Sequence, residues 1–216
     1  MVRFTFVTIT FSIFILGCAD SPPPPSDDNP IAKREVEDFF LRFRQKIQAK
    51  EADSLPAYLS SESLNGLDDL RRAARSEPQS FLEARPFYQI LCILALRIEK
   101  RLHPGFDDRL VGLLDKLIIQ ADPVRKTFLK TELGPANLFG NRAEIGLRDA
   151  PNVPVFCFVK ESSGRVWKFH LMKSLPLILQ GAESFARQRK PTHLLQAIYI
   201  LEQFGGQTVL PQDLNH

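Results

Sequence analysis

Cys157 and His170 are the residues whose chemistry has to be asked about first. A thiol becomes a nucleophile when an imidazole accepts its proton or an imidazolium lowers its pKa. Val155 to Lys160 is apolar on both faces, and Trp167, Phe169 and Leu171 alternate with Lys168 and His170, which predicts two strands of a hairpin. Directly opposite residues share a face. Gathering Phe156 and Phe158 with Trp167, Phe169 and Leu171 requires paired residue numbers with an odd sum, and a two-residue turn at Ser163-Gly164 supplies it. Phe158 then faces Phe169, Phe156 faces Leu171, and Cys157 faces His170. This is the one nucleophile–base pairing the sequence offers. No carboxylate that would orient His170 is evident, Glu144 and Glu161 being guesses, and no oxyanion-binding loop follows Cys157. A packed cysteine beside a half-exposed histidine is therefore the favoured reading, with no catalytic residue assigned.

The other reactive side chains say less. Cys92 and Cys157 both lie in strongly apolar segments, where a free cysteine behaves as a small hydrophobe. In an oxidising compartment they could instead pair, and geometry decides between the two. His103, His170, His193 and His216 show no metal-ligand spacing, and no Gly-rich phosphate loop opens a helix. Neither a metal nor a cofactor is expected. Trp167 is a candidate floor for a ligand pocket, although at strand spacing an indole more often packs as core. A net charge of +3, with no Lys/Arg cluster interleaved with aromatics, argues against nucleic acid. The densest basic run, Arg187-Gln188-Arg189-Lys190, falls at a helix C-terminus, where cations complement the helix dipole.

Helices must position this hairpin. Asn29-Pro30 is a good cap and first turn for a helix whose stripe is Val36, Phe39, Phe40, Phe43 and Ile47. Leu55, Tyr58 and Leu59 suggest a short second helix, and Leu64, Leu67, Leu70 and Ala74 a third. From Pro86, Phe87, Ile90, Leu91, Leu94, Ile98 and Leu102 share a face that Cys92, Ile93 and Leu96 widen, marking a central helix ended by His103-Pro104-Gly105. Another spans Asp107 to Gln120, and Asp122-Pro123 caps one that Gly134 closes. The period then changes to two: Ala143, Ile145 and Leu147 alternate with polar residues ahead of the hairpin. Ser174 and Pro176 open a helix through Gln188, Thr192 to Phe204 forms the last, and the tail from Gln207 carries no strong signal. The fold class is α+β: residues 31–133 helical, 134–172 a small antiparallel sheet of three to four strands, and 173–216 C-terminal helices, all in one domain. With 44% apolar and 25% charged residues, that domain can bury a substantial core.

Ahead of the domain stand Arg3, an apolar run from Phe4 to Leu16, and Ile15-Leu16-Gly17-Cys18. This resembles a bacterial lipoprotein signal with its lipobox, in which cleavage of residues 1–17 leaves a cysteine that carries diacylglycerol. The run is too short for a bilayer span, which needs about 20 residues. The resemblance implies that Cys18 is the lipid attachment site, that the protein is a palmitate-bearing envelope lipoprotein of the periplasm, and, from Ala19, that the outer membrane is favoured over the inner. Residues 18–30, including Ser21-Pro22-Pro23-Pro24-Pro25-Ser26, read as a semi-rigid tether of about 3 Å per residue.

Lys50-Glu51-Ala52-Asp53-Ser54-Leu55, then Tyr58-Leu59-Ser60, and much later Gly164-Arg165-Val166-Trp167-Lys168-Phe169 make the domain similar to the nuclear-transport-factor-2-like superfamily. Those are cone-shaped α+β domains in which helices pack into a curved antiparallel sheet. Residues 31–75 and 134–172 carry the likeness; the helical stretch between them and the two C-terminal helices depart from it. The superfamily contains both enzymes and binding modules. Two functions follow: a noncatalytic envelope lipoprotein binding an apolar small molecule or a partner protein, or an envelope hydrolase or isomerase using the cone interior. A filled cone favours the first; a pocket lined by convergent polar groups favours the second.

Overall fold

A computed structural model describes residues 29–161 and 166–215. Helix α1 spans Pro30–Gln48, its first turn capped by the Asn29 side chain, which accepts from the Ala32 amide at 3.1 Å. All five residues of its expected stripe are buried. A single 3-10 stretch, Ala52–Tyr58, takes the place of the expected second helix. Helix α2 (Ser61–Ser76) is capped by Ser60, α3 is the short Gln79–Leu82, and α4 (Phe87–Leu102) runs through the interior.

The helix expected over Asp107–Gln120 is shorter and divided. Asp107 folds back onto Arg109, accepting from both its amide and its guanidinium, so α5 begins at Leu110 and ends at Leu114. A π-helical segment, Asp115–Gln120, follows. Helix α6 occupies Asp122–Lys130. Gly134 does not close it. That glycine lies within the first strand, where an added Cβ would sit 2.9 Å from the Leu147 carbonyl oxygen.

Four strands, β1 (Leu133–Phe139), β2 (Arg142–Leu147), β3 (Ala150–Lys160) and β4 (Trp167–Phe169), form an antiparallel meander in the order β1-β2-β3-β4. Gly140, at φ +63°, makes the tight β1–β2 turn. Register shifts at Ile145/Gly146/Leu147 bulge the β2–β3 ladder, and Gly146 is needed there because a Cβ would meet the Pro151 and Val153 carbonyl oxygens at 2.5 and 2.7 Å. The β3–β4 register has the expected parity: Phe158 opposes Phe169, Val159 opposes Lys168 and Lys160 opposes Trp167. Continuing that pairing, the His170 amide donates to the Cys157 carbonyl at 2.8 Å. The turn proposed at Ser163-Gly164 lies outside the described residues.

The strand stops two residues before Leu171, contrary to expectation. Helix α7 runs Leu171–Arg187 with His170 as its N-cap, and Leu171 is its first, fully buried residue rather than a strand partner of Phe156. Helix α8 (His193–Gln203) is capped by Thr192. The tail, unreadable in sequence, contains α9 (Pro211–Leu214). Its backbone carbonyls at Asp213 and Leu214 accept from Arg97 on α4, a guanidinium only 2% exposed that also reaches the Ala73, Ala74 and Glu77 carbonyls at the end of α2.

The buried apolar side chains form one connected core. Rings of α1 and α6 pack onto Phe156, Phe158 and Phe169 of β3 and β4. Helix α7 continues from β4 along β3 and joins the sheet to α4 and α8.

Candidate functional site

The site begins with the junction of three chain segments around His170. Ser60 caps α2 with its hydroxyl, accepting from the Ser63 amide at 3.2 Å, while its own amide donates to the Phe169 carbonyl at 3.0 Å. Leu59 and Phe169 form a parallel bridge, which draws the start of α2 against the outer edge of β4. Glu62, in the first turn of α2, thereby reaches His170: Oε2 stands 2.8 Å from Nε2. The other ring nitrogen, Nδ1, accepts from the Lys173 amide at 3.4 Å. An amide can only donate, so Nδ1 carries the lone pair and Nε2 the proton, which it gives to Glu62. That hydrogen bond holds the Glu62 carboxyl below the usual carboxylate range.

His170 is 3% exposed, buried where the sequence placed it at the half-exposed edge. The covering element is α7: Ser174, fully buried, accepts from the Cys157 amide at 2.9 Å and donates to the His170 carbonyl at 3.0 Å. An orienting carboxylate does exist, and it is neither Glu144 nor Glu161. Glu161 caps α2 by accepting from the Ser61 amide at 2.5 Å, and Glu144 lies across β2–β3 from Cys157. Glu62 is 108 residues from His170 along the chain, and its only local signal is its place beside the Ser60 cap. Strand alternation carries no information about a partner so distant in the chain.

Chemically the junction is a brace. The structure brings Cys157 and His170 together through their backbones, and among the described residues no hydrogen bond joins the thiol to the ring. Both imidazole nitrogens are already engaged. Burial, reinforced by the Glu144 charge, pushes the Cys157 thiol up to about 11 against the opposing pull of Ser174 and Lys173. Such a thiol is almost wholly protonated at neutral pH and is a poor nucleophile. Cys92 sits apart on α4, fully buried and pushed up to about 12; both cysteines are free thiols.

Across the sheet, the face proposed as a pocket is occupied by rings. Phe128 of α6 stacks on Phe156 at 5.2 Å and meets Phe169 edge-on at 5.6 Å. Phe40 lies 4.5 Å from Phe156, and Phe43 5.0 Å from Phe169. Phe39 and Phe158 close the group at 6.2 Å. Trp167 shares this face at 3% exposure, with the Lys160 ammonium 5.2 Å from its ring centroid, and its Nε1 is buried without a hydrogen-bond partner. Two surface clefts among the described residues lie elsewhere. One, between Arg71, Arg75, Lys100 and Asp108, holds about 10 Å³, at the lower limit for a single water. The other is an open notch beside Pro30, Ile31 and Glu35.

Among the described residues no three His, Cys, Asp or Glu side chains converge to hold a metal ion, and no helix is long and apolar enough to cross a membrane. His103 stands 3.8 Å from Glu99, and His193 contacts the Arg85 carbonyl. Cys18 and His216 lie outside the described residues. Comparison with protein-family models, curated proteins and solved structures finds no match to this chain.

Proposed function

We propose that this chain is a noncatalytic binding module held at the bacterial envelope by lipid on Cys18, facing the periplasm and favouring the outer membrane. Its partner is another envelope protein or an apolar molecule met at the domain surface. The observation that carries the noncatalytic part is the packed ring cluster of Phe40, Phe43, Phe128, Phe156 and Phe169, which leaves the sheet's aromatic face no room for a substrate. The inert state of the Cys157 thiol and the engaged ring of His170 support it further. The likeness to nuclear-transport-factor-2-like domains belongs to the same proposal: α1 lying against a four-stranded antiparallel sheet supports it. The anchored part rests on Ile15-Leu16-Gly17-Cys18 and the proline-rich segment after it.

Two measurements test the two parts. Cys18→Ser should abolish labelling of the protein by a clickable palmitate analogue in growing cells; undiminished labelling would refute the anchor. Cys157→Ala and His170→Ala, at normal abundance and with native circular dichroism, should complement any phenotype of a deletion strain. Loss of complementation by either folded variant would replace the binding reading with the enzymatic one.

A further inference from the structure

Helix α8 is apolar on more than the side it buries. Leu194, Ala197 and Leu201 face the core, yet Leu195 is 42% exposed and so is Phe204 just beyond its end, with Ile198 and Tyr199 half-buried between them. Glu202 is the only carboxylate on this outward face, one turn from Tyr199; a surface helix ordinarily turns more charge outward than that. Phe185, near the end of α7, joins that face: its ring lies 6.1 Å from Tyr199 and 5.5 Å from Phe204.

Two cations lie over these rings. The Arg189 guanidinium carbon is 3.8 Å from the Phe185 centroid, and the Lys190 ammonium is 6.0 Å from that of Tyr199. Arg187, their neighbour, is neutralised by Glu183 at 2.7 Å. Arg189 and Lys190 meet no carboxylate among the described residues. Arg189 uses one donor on the Phe185 carbonyl, which is the helix-capping role its position suggests, and keeps the rest of its fork open. Aromatic rings with Lys and Arg cations resting on them set charge beside an apolar body, a combination that suits the headgroup layer of a bilayer. The two unneutralised cations complement phosphate there, each contributing about 1 kcal/mol, a factor of five to six, near an anionic surface.

We propose that the α7–α8 end of the domain, through Phe185, Leu195, Tyr199 and Phe204 with Arg189 and Lys190, docks on an anionic phospholipid surface. The inference rests on the tether reading for its setting, since a chain anchored at Cys18 keeps this patch close to lipid, but its chemistry is separate from the anchor.

The test uses the full chain as cells produce and process it, mixed with vesicles of phosphatidylcholine alone or of phosphatidylcholine with phosphatidylglycerol. Flotation reads the anchor, and amide hydrogen exchange over residues 185–204 reads docking. Flotation on both vesicles with protection only on the anionic ones supports both readings. Flotation on both with no added protection, or with equal protection, overturns the docking proposal and leaves the anchor standing. Flotation with protection on anionic vesicles alone supports docking and overturns the anchor; flotation on neither overturns both. Protection that appears without vesicles and grows with protein concentration assigns the face to a second copy and overturns docking. Neutralising both cations in R189Q/K190Q should lower the docked-to-undocked ratio about thirtyfold, five- to sixfold for each. Leu195→Gln, an exposed site that leaves the capping contact of Arg189 intact, should also reduce it. If both variants melt like the wild type and dock unchanged, the proposal fails.

Discussion

Replacing Arg97 by methionine should undo the closure of the C-terminal segment. The guanidinium spends its donors on five backbone carbonyls: Nε on Ala74 at 3.1 Å, Nη2 on Ala73 at 2.8 Å and on Glu77, and Nη1 on Asp213 and Leu214 at 3.1 Å each. Ala73 and Ala74 lie in the last turn of α2, where intrahelical donors run out, and Glu77 is that helix's C-cap. Methionine keeps much of the aliphatic stem, so the change isolates the hydrogen bonds from the packing. A charge-assisted hydrogen bond contributes about 1.5–3 kcal/mol, but the five share one donor group and do not add. Leaving buried carbonyls without a donor costs about 1–3 kcal/mol apiece, and for this non-additive group about 3–5 kcal/mol in all. Ala73 retains the Glu77 amide at 3.0 Å, and Arg101 still holds Asp213 at 2.9 Å, which argues for the lower half of that range. Urea unfolding reads the global loss, and hydrogen exchange over residues 208–214 should rise before the rest of the molecule opens. Arg97→Lys, a point charge with three donors, should recover only part of it. A loss under about 1 kcal/mol for methionine, or full stability for lysine, would show that the carbonyls find other partners and that the reasoning is wrong.

Three further outcomes are expected. Trp167→Ala should destabilise by about 3–5 kcal/mol, as large core aromatic truncations do, whereas Trp167→Phe should cost far less, because it keeps a ring in the core and breaks no hydrogen bond of the indole N–H that is seen among the described residues; a phenylalanine variant as unstable as the alanine one in thermal denaturation would contradict this. Cys92 and Cys157, with thiols pushed up to about 12 and about 11 from an ordinary 9.0, should resist iodoacetamide at pH 8 in the native state and react fully in urea, read by mass spectrometry. The unfolded chain ionises first as pH rises, so the stability these buried thiols contribute is intact below about pH 9 and is lost as pH climbs towards the folded values; stability unchanged up to pH 11 would contradict that.

What could be read from the sequence was local. The stripe of α1, the cap at Asn29 and the course of α4 depend on residues a few positions apart. The β3–β4 parity followed from one requirement, that the aromatic residues share a face. The errors have local causes too. Leu171 continues the alternation of Trp167 and Phe169, and a buried first residue of a helix satisfies that pattern equally well. His170 was an unrecognised cap, and Pro176, read as a helix start, lies inside α7. Asp107 stopped its own helix from starting by bonding to Arg109. The rest was non-local. Glu62 meets His170, and Arg97 meets Asp213, across more than a hundred residues, where spacing carries no information.

The outer edge of β4 has a consequence for assembly. The last of its three residues, Phe169, is bridged by Leu59, and the Ser60 amide already occupies the Phe169 carbonyl. At the far side of the sheet, the Ala136 amide of β1 donates to Glu37 on α1. Open strand edges are how β-proteins recruit extended peptides and how they aggregate when concentrated. Here both margins carry a ready-made plug, so a peptide seeking to lengthen the sheet must first displace a native contact. Molecules crowded side by side on a surface would resist edge-to-edge polymerisation, and recognition would be left to the outward faces of the helices.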